Sequence, residues 1–407
     1  MRCGLLGRKL SHSYSPQIHG MLGDYAYELY EKEPEDLESF LKYGDFRGLN
    51  VTIPYKKSVI PYCDSLSPTA QMLGAVNTII RREDGSLLGH NTDYFGFQSM
   101  LQESKLSVSG KKVLVLGSGG ASNTVKAVLE ECGATVIIIS RNSENNYENL
   151  FLHKDATVIV NATPVGMYPA TGVSPLELDH FPKLEGVLDV IYNPARTKLL
   201  LDAQQRGLVT VNGLWMLVAQ AKESSEWFTG APIDDTKISL IHKTLRSQTE
   251  NIVLIGMPGC GKSTVGKLIA GHTGLQFVDA DTEVEKLAGK SIPQIFAEDG
   301  EDVFRSWETK VLSALGKESG LVIATGGGCV TRQENYRHLH QNGTIFWLTR
   351  PIQSLATEGR PLSAAGKLEE MYQIRRPLYE AFRDYRIENR TPAQAVSEIL
   401  HIIGVSL

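Results

Sequence analysis

The sequence predicts an α/β protein, and three observations carry that prediction. Short, largely apolar segments recur along the chain, among them residues 113–116, 135–139, 187–191, 252–255 and 321–324. They alternate with helical patterns such as 124–131 and 197–205. Strands that are apolar on both faces and separated by helices belong to parallel sheets covered on both sides. Two of these runs also pass directly into glycine-rich turns, 117–121 and 256–261, each followed by a helical pattern.

Composition narrows the class. The chain has 407 residues, 42% of them hydrophobic and 21% charged. That suffices for two or three ordinary cores and argues against disorder. A net charge of −5, with lysines and arginines scattered, offers no basic surface to nucleic acid. Cys3, Cys63, Cys132, Cys260 and Cys329 are odd in number and widely spaced, without a C-x-x-C, so neither a disulfide frame nor a zinc site is indicated. The N-terminus shows no signal-peptide pattern, and no stretch approaches the ~18 apolar residues of a membrane span. The expectation is a reduced cytoplasmic enzyme acting on small molecules, with no nucleic-acid or membrane partner. A homodimer is compatible with the sequence, which does not decide it.

Residues 1–100 mix strands and helices. A strand is expected at 3–6. Ser15 is placed to cap a helix with Pro16 in its first turn, and Pro34 opens another helix reaching about Tyr43. Strands follow at 48–52 and 75–81, the latter turning at Asp84-Gly85, and Thr92 caps a helix to about Gln102. From 111 to 211 the pattern becomes strand and helix in alternation, a doubly wound sheet. The run at 117–122 reads G-x-G-x-x-S, one residue short of the full dinucleotide fingerprint, between a buried strand and a helix. The next strand ends at Ser140-Arg141, where an arginine suits the 2′-phosphate of NADP, although Glu144 stands nearby. A helix is expected over 213–228. The polar segment 246–250 reads as a short linker.

The second half opens on Gly256-Met-Pro-Gly259-Cys260-Gly261-Lys262-Ser263-Thr264, the G-x-x-x-x-G-K-S spacing of a P-loop between strand and helix. Its backbone N–H groups and the helix dipole would face phosphate, Lys262 would reach the β/γ-phosphates, and Ser263 would ligate Mg²⁺. Asp279 and Asp281 follow a strand, one suited to Mg²⁺ and the other to an acceptor hydroxyl. Further strands are expected at 275–278, 321–324 and 344–348, with Gly326-Gly327-Gly328 after the second of these. By sequence alone, Arg305, Arg360 and Arg375 are ordinary surface arginines.

Several polar clusters in the first half suit a small polyhydroxylated acid. They are Ser13-Tyr-Ser15-Pro, Asn50-Val-Thr52-Ile-Pro-Tyr-Lys56, Gly74-Ala-Val-Asn77-Thr and Asn91-Thr-Asp93. Together with Asn161-Ala-Thr-Pro-Val-Gly-Met, Asp189-Val-Ile-Tyr192-Asn-Pro and Gly213-Leu-Trp-Met-Leu-Val-Ala-Gln220, they resemble shikimate dehydrogenase over residues 1 to about 245. That resemblance implies an α/β substrate lobe (1–100 and 212–247) and a Rossmann-like NADP-binding lobe (101–211). It implies Ser13 and Ser15 on the substrate carboxylate, and Thr52, Asn77, Asn91 and Gln220 on ring hydroxyls with Tyr192 nearby. Lys56 and Asp93 would be the catalytic pair. The dinucleotide would rest on Gly117, Gly119, Gly120 and Ala121, with Arg141 on its 2′-phosphate and Gly213 close by.

Residues from about 251 to 405 resemble shikimate kinase, through the P-loop, Asp279-Ala-Asp281, Phe304-Arg305, Gly326–Gly328, Arg360-Pro-Leu and Arg375-Arg-Pro-Leu-Tyr. This likeness implies a P-loop NTPase-type domain over 250–407. Arg305 and Arg375 would clamp the shikimate carboxylate, and Gly327 and Gly328 would back the ring. Asp281 would orient the reacting hydroxyl, Arg360 would close a lid, and Arg390 would meet adenine. NADP(H), ATP and Mg²⁺ are the cofactors implied, and 3-dehydroshikimate and shikimate the substrates. Two rival readings stay open: a kinase whose first half is a binding lobe without catalysis, and a first half that oxidises quinate.

Overall fold

The computed structural model describes residues 1–10, 13–355 and 365–405. By packing, the chain divides into two units. One comprises residues 1–165, 174–192 and 202–242, and the other comprises 166–173, 193–201 and 243–407.

The first unit holds two sheets. Six strands form the first: β1 (Arg2–Gly7), β2 (Ala26–Glu31), β3 (Gly48–Val51), β4 (Ser65–Leu66), β5 (Thr78–Arg81) and β6 (Leu87–His90). They run in the order β2-β1-β3-β5-β6-β4. β1 lies parallel to β2 and β3, and β5 antiparallel to β3 and β6. The mixed directions let β3, β5 and β6 bring Asn50, Asn77, Thr78 and Asn91 to one end of the sheet. Leu6, Leu41, Leu49, Val51, Val76 and Ile79 fill the core on one face, each at most 2% exposed.

The second sheet is all parallel, as expected. Its strands are β7 (Lys112–Leu116), β8 (Thr135–Ile139), β9 (Val158–Asn161), β10 (Gly186–Asp189) and β11 (Val209–Asn212), in the order β11-β10-β9-β7-β8. β7 sits where the winding reverses, so the crevice beyond its carboxyl end is the usual ligand position in such sheets. The long helix Leu214–Thr229 packs on helix Asp93–Ser104 and on helix Ser15–Leu22.

The second unit carries a parallel sheet of β12 (Asn251–Ile255), β13 (Gln276–Asp279), β14 (Leu321–Ala324), β15 (Gly343–Thr349) and β16 (Tyr385–Glu388), in the order β13-β14-β12-β15-β16. β12 is the central strand and again marks the reversal. Its residues are 0–3% exposed, which explains a run apolar on both faces. Segment 193–201 belongs to this unit. The Arg196 guanidinium donates to the carbonyls of His340 (3.0 Å) and Gly343 (3.2 Å) and to Glu250 (2.9 Å). Burial raises the Glu250 carboxyl, but Arg196 and Arg246 outweigh it and hold the group below its ordinary range.

Three expectations need correction. The stretch 246–250 is no linker, because helix Thr236–Thr249 runs through most of it. Ile238, Ile241 and Leu245 are buried at helical spacing, and Arg246 pairs with Glu250 four residues on at 2.7 Å. Ser15 is the first helical residue rather than the cap, and the Ser13 hydroxyl accepts its N–H at 3.2 Å. The strand expected over 75–81 begins only at Thr78. Among the described residues, no helix is long and apolar enough to cross a membrane.

Candidate functional site

In the first unit the centre is a charge pair. Lys56 follows β3, and Asp93 opens helix Asp93–Ser104. Lys56 Nζ donates to Asp93 Oδ2 at 2.6 Å, with the two side chains 32% and 16% exposed. The pair is therefore fixed yet open to solvent or a ligand. The Asp93 N–H donates to Asn91 Oδ1 at 3.1 Å, and Asn91 Nδ2 donates to the Ala75 carbonyl at 2.9 Å, so Asn91 ties the two loops that frame the pair. Asn77 is buried beside Thr92, whose backbone N–H donates to Asn77 Oδ1 at 2.7 Å. Gln220 Oε1 lies 3.4 Å from the Thr92 hydroxyl. Thr52 directly follows β3, with its N–H on the Leu6 carbonyl at 2.9 Å. Tyr192 meets Tyr14 ring to ring at 5.8 Å, and burial raises both phenols above their ordinary value. Ser13, Ser15 and Tyr14 lie at the start of helix Ser15–Leu22, at the positive end of its dipole.

β7 runs into Gly117, Gly119 and Gly120, and helix Gly120–Glu131 starts there. Gly117 has φ +107°, the left-handed region that only glycine adopts freely. A Cβ on Gly119 or Gly120 would meet nothing within 4 Å, so this turn leaves room for a dinucleotide's pyrophosphate above a helix N-terminus. Arg141 is exposed just beyond β8. The loop behind it is closed by hydroxyls, with Ser140 Oγ on Ser143 Oγ at 3.0 Å. Gly213 is buried, and a Cβ there would overlap the Val190 carbonyl, so its need for glycine comes from the close approach of backbone.

The second unit surrounds a cleft of about 520 Å³. Its walls include Gly259, Gly261, Lys262, Ser263, Thr264, Asp279, Asp281, Arg305, Gly327, Gly328 and Arg375. These are eleven of the positions that sequence reasoning picked from separate motifs. Lys262 is 8% exposed and donates to the carbonyls of Gly256 (2.9 Å) and Met257 (3.1 Å), which holds its ammonium inside the loop. Ser263 Oγ donates to Asp279 Oδ2 at 2.7 Å. A hydroxyl joined to a carboxylate is an all-oxygen donor set, the kind Mg²⁺ takes. Asp279 also caps helix Ala280–Ala288, accepting the Asp281 N–H at 3.1 Å.

Arg305 and Arg375 are 6% and 8% exposed, not the surface arginines their sequence context suggested. Arg305 is gripped by Glu308 at 2.8 Å and Glu301 at 2.9 Å. Burial raises the Glu308 carboxyl against the pull of Arg305. Cys260 faces the core at 1% exposure, so it would meet a nucleotide only through its backbone. Arg390 is exposed, pairs with Glu388 at 2.9 Å, and does not line the cleft. Its neighbour Asn389 touches the loop, donating to the Cys260 carbonyl at 2.7 Å. Arg360 lies outside the described residues. Sequence reasoning missed the apolar wall of Ile292, Pro293 and Phe296, which Phe304 of the Phe304-Arg305 motif completes, and also Arg350. Pro293 in a first turn and an arginine ending a strand were their only local signals.

The fold and these two sites define a two-domain enzyme class: a dinucleotide-type sheet with a Lys/Asp pair, and a P-loop cleft of the kinase kind. Comparison with known proteins makes this specific. Residues 5–79 match the family model for the shikimate dehydrogenase substrate binding domain, and residues 258–404 match that for shikimate kinase. The shikimate dehydrogenase (NADP(+)) of Clostridium perfringens strain SM101 is 36% identical over 265 residues, covering 60% of this chain and 97% of that protein. The crystal structure of shikimate dehydrogenase 1 from Peptoclostridium difficile superimposes with a TM-score of 0.55 at 38% identity, covering 60% of this chain and 97% of that one. A chorismate mutase/shikimate 5-dehydrogenase fusion from Clostridium acetobutylicum gives 0.57 at 37%, covering 60% and 96%. The chain belongs to the shikimate dehydrogenase family, and a shikimate kinase domain follows in the same polypeptide.

Proposed function

We propose that this chain catalyses two consecutive steps: NADPH-dependent reduction of 3-dehydroshikimate to shikimate, then Mg²⁺- and ATP-dependent phosphorylation of shikimate at its 3-hydroxyl. The observation carrying this reading is that each unit has its own charged reaction centre. These are the Lys56–Asp93 pair at 2.6 Å and the cleft where Lys262, Asp279, Asp281, Arg305 and Arg375 converge.

When bound, NADPH supplies the hydride, and Mg·ATP supplies the phosphoryl group and its charge neutralisation. In the first unit, Ser13 and Ser15 hold the substrate carboxylate at a helix N-terminus. Asn77, Asn91, Thr52 and Gln220 meet the ring hydroxyls, with Tyr192 beside them. Lys56 gives a proton to the oxygen that becomes the alkoxide, and Asp93 keeps the ammonium aimed. Arg141 would face a 2′-phosphate, and Gly213 lets the chain turn close beside the dinucleotide. In the second unit, Arg305, held rigid by Glu301 and Glu308, and Arg375 clamp the carboxylate. Gly327 and Gly328 back the ring, and Asp281 orients the 3-hydroxyl and takes its proton. Lys262, Ser263 and Asp279 hold the phosphates and metal, and Arg360 would add its charge at the transferring phosphate. Positioning and charge stabilisation do most of this work, as phosphoryl transfer requires. Five free cysteines support a cytoplasmic location.

Two assays on the purified chain test the reading separately. Shikimate with NADP⁺ should give rising absorbance at 340 nm, and shikimate with Mg·ATP should release ADP. Loss of the first signal alone would favour a non-catalytic first half, and turnover of quinate in preference to shikimate would replace the substrate.

A further inference from the structure

Behind Asn77, three hydroxyls from three different elements meet. Thr78 begins β5, Thr92 precedes helix Asp93–Ser104, and Ser224 lies on helix Leu214–Thr229. Thr78 Oγ1 is 3.2 Å from Thr92 Oγ1 and 3.1 Å from Ser224 Oγ, and Thr92 Oγ1 is 3.0 Å from Ser224 Oγ. All three residues are 0% exposed. A buried cluster of this kind is costly unless every proton has a defined acceptor.

Two backbone groups set the order of protons. The Gln220 carbonyl lies 2.9 Å from Ser224 Oγ and can only accept, so Ser224 donates to it and accepts from Thr92 Oγ1 and Asn50 Nδ2, which leaves Thr92 Oγ1 no proton for Asn77 Oδ1, 3.3 Å away. Asn50 Nδ2 supplies one of those bonds at 2.7 Å, while Asn50 Oδ1 accepts the Tyr27 hydroxyl at 2.8 Å. The Thr92 backbone N–H lies 2.7 Å from the Asn77 side chain and can only donate, so the atom it meets is the amide oxygen. Thr78 gives the same oxygen a second proton at 3.0 Å. Asn77 Nδ2 donates once to Thr92 Oγ1 at 3.1 Å, which leaves its second proton over. Rotating this amide by half a turn would set NH₂ against the Thr92 N–H, donor against donor.

We propose that Thr78 and Ser224, aligned by Asn50, are positioning residues for the dehydrogenase half. They lock the Asn77 amide so that its remaining N–H, and never its oxygen, meets the ligand, which must present a hydroxyl oxygen there as acceptor. This rests on the reading of Asn77 as a ring-hydroxyl contact. Thr78→Val keeps the β-branched shape and removes one of the two donors that pin the amide oxygen.

The test uses the full-length chain and initial rates of shikimate oxidation by NADP⁺, with kcat and both KM values measured. Thr78→Val should raise KM for shikimate at least tenfold, leave KM for NADP⁺ within twofold, and leave the shape of the pH profile unchanged. Thr78→Ser, which restores the hydroxyl, should return KM to within threefold of wild type. An unchanged KM for shikimate in Thr78→Val overturns the proposal, as does a parallel rise in both KM values or a Thr78→Ser variant as impaired as Thr78→Val. Should Thr78→Val not fold, Ser224→Ala carries the same expectation, and an unchanged KM there overturns it equally. A wild-type chain that oxidises no shikimate overturns the reading of the pocket together with this proposal, whereas an active wild type with an indifferent Thr78→Val overturns this proposal alone.

Discussion

The Lys56–Asp93 pair gives the first quantitative test, because its two members should fail by different amounts. Lys56→Ala removes the proton donor itself. General acid catalysis contributes about 10²–10⁴-fold, which is about 2.7–5.4 kcal/mol of barrier. Asp93→Asn keeps the shape and removes only the charge. At the observed 2.6 Å, the attraction between the two charges is about 1.6 kcal/mol in bulk water and about 6 kcal/mol at an effective dielectric of 20. Lys56 is 32% exposed and screened accordingly, so the lower part of that span applies. We expect Lys56→Ala to lower dehydrogenase kcat about 10³-fold and Asp93→Asn about 10²-fold. Both should leave ADP release from shikimate and Mg·ATP unchanged, which serves as an internal control for folding. The assay is NADPH formation at 340 nm beside ADP release on one preparation. Lys56→Ala retaining dehydrogenase turnover within threefold of wild type would refute the assignment.

Three further outcomes follow from particular contacts. Gly213→Ala drives a methyl group into the Val190 carbonyl, so it should destabilise the first unit by about 1–3 kcal/mol and abolish dehydrogenase activity at 37 °C, read by thermal melting and rate. Arg305→Lys loses the fork that Glu301 and Glu308 hold, so KM for shikimate in the kinase assay should rise at least tenfold while KM for ATP holds steady. His19 is wholly buried with Nδ1 on the Tyr25 hydroxyl at 2.6 Å, and burial lowers its pKa from 6.5 to about 3. The folded state therefore stays unprotonated where the unfolded chain binds a proton. The stability this gives is present above pH 6.5 and is lost as pH falls toward the folded value. Between pH 6.5 and 5 the loss is about 2 kcal/mol, and His19→Gln should flatten the slope of melting temperature against pH in that window. An unchanged slope would contradict the burial argument.

Legibility in the sequence followed the range of the signal. β7, β12 and β14 stood out because parallel strands buried on both faces leave unbroken apolar runs. The P-loop and the two aspartates after β13 are local motifs, and they converge on one cleft. β2 was invisible because most of its residues are exposed and show no alternation. The helix Thr236–Thr249 had no counterpart among the expectations: its last turn is polar and reads as a linker, and the burial of Ile238, Ile241 and Leu245 is tertiary. Arg305 and Arg375 looked like surface arginines because their burial in the cleft is set by packing between elements; the glutamates that pair with Arg305 stand four residues before it and three after it on the same helix, so that part was within local sequence. The hydroxyl cluster of Thr78, Thr92 and Ser224 joins residues up to 146 positions apart, so no window of sequence contains it.

The central claim is that one chain performs both steps in succession, and a single incubation measures it. Purified full-length protein receives 3-dehydroshikimate, NADPH and Mg·ATP, with no shikimate added, and ADP and shikimate 3-phosphate are followed by mass spectrometry. The account predicts that both products appear and that omitting NADPH abolishes both. Absence of shikimate 3-phosphate while NADPH is consumed, or ADP formed equally without NADPH, would contradict it.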